Sequence, residues 1–149
     1  MRRPAWPARR HLGCGRVSVV RSIFVLTTTD RATLEAALDS LGERQLAQWI
    51  IDGLLYARID EPPDWSDGWA PERVNAAADA LGGVPPRAVA VDISGRRAGW
   101  EEIRKVASVL LRLGPGVAFD DYSERPWRAD EIDQARDEHG KRFFEPFRP

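Results

Sequence analysis

The side chains best suited to chemistry in this chain are carboxylates standing at the ends of apolar runs. "RAVAVDIS" carries Asp92 near its end, "GVAFDDY" ends on the adjacent pair Asp120 and Asp121, and "LLYARIDE" ends on Asp60 and Glu61. If these runs are parallel strands, their carboxyl ends share one rim, where ligands of open α/β sheets gather. Asp92, Asp120 and Asp121 would then suit Mg²⁺, which needs only one or two carboxylates beside waters and substrate phosphate. That arrangement implies a phosphoryl-transfer or hydrolytic enzyme, because crowded carboxylates also raise one another's pKa as a general acid requires. The plainer account is that aspartates end strands because they favour turns, and it is the one we expect.

The other catalytic constellations are poorly supported. Cys14 is the single cysteine and His11 and His139 are the two histidines, so a zinc cage of the Cys/His type is excluded. No serine stands in a Gly-x-Ser-x-Gly elbow. The turn "DISGRRAGWEE" lacks both glycine-rich phosphate patterns, and Arg96 and Arg97 are expected to pair with rim acids. "VAVDISG" followed by "VAFDDYS" is similar to the first and last motifs of haloacid-dehalogenase-type phosphatases. Ser94, however, stands where that family has a second aspartate, and one helix alone separates the motifs, so no assignment follows.

Aromatic residues interleaved with acids give a different class of function. Trp65 and Trp69 stand among Asp64, Asp67 and Glu72, while Tyr122 and Trp127 follow Asp120 and Asp121. Interfaces enrich Trp and Tyr, whose rigid rings supply contact area at low entropic cost. Ringed by carboxylates, Trp65, Asp67, Trp69, Asp120, Asp121, Tyr122 and Trp127 form the expected binding surface for a basic protein or peptide. In size and charge the chain resembles bacterial immunity proteins, which neutralise cationic toxins. The expectation is therefore a non-catalytic protein-binding domain, with the Mg²⁺ enzyme as the alternative and a homo-oligomeric structural subunit as a third reading.

Charge distribution agrees with that choice. The net charge of -1 conceals six arginines and no acid in residues 1–22, leaving 16 basic against 23 acidic side chains in the rest. An acidic body repels phosphate backbones, so nucleic acid is not the expected partner. Residues 1–19, broken by Pro4, Pro7, Gly13 and Gly15, read as a basic, disordered tail, and they contain no continuous apolar segment of the secretory kind. With a mean hydropathy of -0.41 and no apolar run of about 20 residues, the expectation is a cytoplasmic chain with no membrane span.

The elements that must hold these residues follow from periodicity. "SIFVLT" (22–27) reads as a buried strand; Leu34, Ala37, Leu38 and Leu41 make a helical stripe stopped by Gly42. Leu46, Trp49 and Ile50 repeat the spacing and predict a second short helix ended by Gly53. An alternating strand over 54–60 precedes a proline-rich loop, a helix entered at Pro71 and carrying Val74, Ala77, Ala78 and Leu81, and a central strand over 88–93. A helix carrying Ile103, Val106, Ala107 and Leu110, a short strand over 117–119 and a weak helix over 129–139 complete the chain, with Phe143, Phe144 and Phe147 docking back. This alternation predicts one α/β domain over residues 20–149, with about four strands in a largely parallel or mixed sheet.

Overall fold

The structure is a computed structural model that describes residues 21–61, 69–93, 99–120, 125–132, 134, 140 and 142–144. Among these residues six strands form a single sheet: β1 (Arg21–Thr27), β2 (Glu43–Gln45), β3 (Gln48–Ile51), β4 (Leu55–Asp60), β5 (Arg87–Ile93) and β6 (Gly116–Asp120). Their spatial order is β2-β3-β4-β5-β1-β6, and every neighbouring pair is antiparallel. Three helices, α1 (Arg31–Leu41), α2 (Pro71–Leu81) and α3 (Trp100–Leu111), join them. This overturns the expected four-stranded, largely parallel or mixed sheet. β1 lies between β5 and β6 and runs against both, so the crossover through α3 does connect two parallel strands, but they are not neighbours.

The predicted helix over Leu46–Gly53 is instead the β2–β3–β4 meander. Asp52 and Gly53 both have left-handed backbones (φ 56° and 63°), and the Leu54 N–H donates to the Ile51 carbonyl at 3.0 Å, which closes the turn. Asp-Gly between apolar runs is the strongest short-range hairpin signal, because a two-residue turn with both φ positive matches the twist of the flanking strands. The apparent helical spacing of Leu46, Trp49 and Ile50 is accidental: Trp49 and Ile51 face the core, whereas Ile50 points the other way and Leu46 is 97% exposed.

Alternation along the strands divides two cores. On one face Val25, Trp49, Leu55, Val89, Val91 and Ile93 pack with α1, α3, Trp127 and Phe143. On the other, Phe24, Leu26, Ala88, Ala90, Val117 and Phe119 pack against Trp69 and the alanine-rich α2. The β3–β4 half of this second face carries Gln48, Ile50, Tyr56, Arg58 and Asp60, none of them fully buried. No described helix is long and apolar enough to cross a membrane. The expected helix over 129–139 is, where described, a single 3-10 turn at Ala129–Glu131.

Helix α1 starts where Asp30 accepts the Thr33 N–H at 2.8 Å. That backbone hydrogen bond holds the exposed Asp30 carboxyl below its ordinary pKa. A lowered native pKa stabilises the fold above the ordinary aspartate value, and the contribution disappears as pH falls through the lowered one. Asp30→Ala should thus lower the melting temperature at neutral pH, and the gap from wild type should close under strong acid; a gap that persists there would refute the charged cap.

Candidate functional site

Antiparallel pairing separates the carboxylates that a parallel sheet would have gathered. Asp60, at the end of β4, pairs with Ala88 at the start of β5, whereas Asp92 pairs with Tyr56 at the far end of the same ladder. Asp92 and Asp120 do lie at one end of the sheet, opposite Ser22 and Ile23 of β1. Successive residues of a strand point to opposite faces, so the two carboxylates emerge on opposite sides of the sheet. Asp92 accepts the Ser22 hydroxyl at 2.6 Å, and Asp120, only 2% exposed, accepts the Phe144 N–H at 2.6 Å beneath the α3 face. Asp121 lies outside the described residues. Among those described, no three His, Cys, Asp or Glu side chains are grouped to hold a metal ion.

The aromatic residues divide as well. Trp65, Asp67 and Tyr122 lie outside the described residues, as do Arg96 and Arg97. Trp69 (6% exposed) and Trp127 (0%) are core side chains rather than docking rings. Trp69 meets Phe24 edge-on at 4.9 Å and Phe119 at 5.7 Å, with the Arg73 guanidinium over its ring at 5.4 Å. Trp127 pairs through its backbone with Ala118, both hydrogen bonds being 2.8 Å, and packs on Phe143 at 5.7 Å. Arg125 stacks on the Trp127 ring at 4.2 Å and reaches Glu131 at 2.7 Å. Glu131's partial burial opposes its charge, yet the Arg128 N–H and the nearby Arg125 and Arg128 guanidinium groups outweigh that and hold its carboxyl below the ordinary value.

The chain thus supplies its own cations to all four described indoles and to many of its acids. Arg31 reaches Glu35 at 3.0 Å and Glu61 at 3.4 Å, Arg87 also reaches Glu61 at 3.4 Å, and Arg58 bridges Asp60 at 3.2 Å and Asp92 at 3.9 Å. Glu43 and Asp52, both exposed and both on the β2–β3–β4 meander, make no ion pair with any described residue.

The same meander contains a feature that periodicity hid. Leu46, at the β2–β3 turn, is 97% exposed and has φ 58°. Arg44 lies beneath it, its Nε donating to the Leu46 carbonyl at 3.4 Å and its guanidinium over Trp49 at 4.7 Å. Beside the turn, Gln45, Leu46, Ala47, Gln48 and Arg58 line a depression of about 260 Å³. A lone exposed leucine is ordinary. A leucine held in the left-handed region is not, since its Cβ crowds the following carbonyl at roughly 1–2 kcal/mol. Neither glycine nor asparagine stands at 45–48 to announce such a turn.

No protein-family model matches the chain, and no curated protein or solved structure is significantly similar to it.

Proposed function

We propose that this chain is a non-catalytic domain that binds a basic protein, in the manner of an immunity-type inhibitor, and that its contact surface is centred on the β2–β3 hairpin. The observation that carries this reading is Leu46, which combines an apolar side chain in full contact with solvent and a backbone conformation that leucine resists. Backbone strain of that kind clusters at functional surfaces. Glu43 and Asp52, which make no ion pair with a described residue, stand at the other end of the same hairpin, where they would meet cationic groups of a partner lying along it. The surface first expected, around Trp69, Asp120 and Trp127, is replaced because those side chains are interior.

Two substitutions test the reading from opposite directions. Leu46→Gly should stabilise the fold by roughly 1 kcal/mol in urea titration, because glycine adopts a positive φ without crowding and almost no burial is lost. Leu46→Asp should leave stability nearly unchanged. With wild type immobilised, a strongly basic protein from the source organism's lysate should be captured, released by salt, and lost with both variants. Equal capture by wild type and Leu46→Asp would refute the hairpin as the contact, and a saturable Mg²⁺-dependent rise in melting temperature would favour the enzyme instead.

A further inference from the structure

Helix α3 and the C-terminal segment bring cationic side chains together along one groove. Arg104, Ser108 and Arg112 stand at i, i+4 and i+8 with Lys105 beside them, and Arg142 approaches from the C-terminal segment. Together they line an open groove of about 380 Å³, in which Glu101 at the helix start is the one acidic residue among the described lining residues. Arg104 is 4% exposed and fixed in place: it stacks on Trp100 at 4.2 Å, and its Nε donates to the Phe143 carbonyl at 2.9 Å. Ser108, also buried, accepts a hydrogen bond from Arg112 and keeps that guanidinium along the groove. Lys105 and Arg112 are exposed, and neither forms an ion pair with a described residue.

Four cations converging on one concavity is unusual in a chain whose acids outnumber its bases. From Arg104 to Arg112 the stripe runs about 12 Å along the helix, longer than one tetrahedral anion. Guanidinium forks match phosphate oxygens two at a time, and a lysine adds a mobile point charge. We propose that this groove binds a compact polyanion of the phosphoryl type, a diphosphate or a molecule bearing one. A long nucleic acid strand fits less well, because Glu101 ends the stripe and the acidic body beyond it repels a continuing phosphate backbone.

Titration of the full chain with inorganic pyrophosphate at constant ionic strength, followed by melting temperature and calorimetry, tests the site. The expected result is saturable binding, tighter for pyrophosphate than for orthophosphate or a short single-stranded oligonucleotide. Lys105→Ala and Arg112→Ala replace exposed side chains and should leave the ligand-free melting temperature nearly unchanged. Each should weaken pyrophosphate by about tenfold, the scale of one charge-assisted hydrogen bond. Absence of saturable binding, equal affinity in the double variant, or tighter binding of the oligonucleotide would overturn the proposal. Leu46→Asp should bind pyrophosphate as wild type does, so this site and the hairpin surface stand or fall separately.

Discussion

Trp127→Ala should cost about 3–5 kcal/mol of folding stability, the range for deleting a buried large aromatic ring. In a chain of this length that is roughly 10 °C or more in melting temperature. Trp127 is completely buried, and its ring fills the space between β6 and Phe143. Its backbone bonds to Ala118 involve no side-chain atom and can survive the substitution, so the loss reports the ring. Those bonds also protect β6, which is an edge strand of the sheet and would otherwise present unpaired backbone groups. Trp127→Phe, which keeps part of the ring volume, should lose less. An interface tryptophan would behave oppositely, leaving unfolding in urea unchanged while abolishing partner capture. A measured loss below about 1 kcal/mol would place the ring outside the core.

The case of Trp127 shows what composition can and cannot report. Aromatic rings near acids look alike in sequence whether the cation over them belongs to a partner or to the same chain. Here Arg125 is two residues away and Arg73 four residues beyond Trp69, and folding brings each guanidinium over its neighbouring ring. Individual elements are legible in the sequence where burial alone sets the pattern. β1, β5 and the three helices lie close to where apolar spacing put them, and Phe143 and Phe144 do return to the core.

Strand direction was the step the pattern could not supply. Runs apolar on both faces, such as 88–91, mark a strand covered on both sides. That condition holds equally for a parallel strand between helices and for β5, which lies antiparallel between β4 and β1 with helices on both faces. Direction then decides the site, since reversing alternate strands sends Asp60 to the opposite end from Asp92. Adding β2 and β3 in place of a helix changed the strand count, and Asp52-Gly53 was the legible clue. Leu46 left no comparable trace, because the residue that occupies its turn is one the turn disfavours.

Asp120→Ala should destabilise the chain by about 3 kcal/mol, and the sign of that change separates a structural carboxylate from a metal ligand. Asp120 is buried and accepts the Phe144 N–H at 2.6 Å. Phe144 itself has φ 58°, a conformation costly for a bulky residue, and is held there by this bond and by complete burial of its ring. Removing the carboxylate takes away a charge-assisted hydrogen bond and leaves a buried amide without this acceptor, each of order 1–3 kcal/mol. The strained turn at Phe143–Phe144 should then detach, so limited proteolysis should cut the last residues faster than in wild type. Asp120→Asn retains an acceptor oxygen and should fall between the two. A carboxylate kept for Mg²⁺ predicts the reverse in metal-free buffer, where its removal relieves repulsion from neighbouring acids and raises the melting temperature. A stabilised Asp120→Ala would therefore reinstate the metal reading, and a destabilised one with a loosened C-terminal segment makes Asp120 the clasp that holds Phe143 and Phe144 on the sheet.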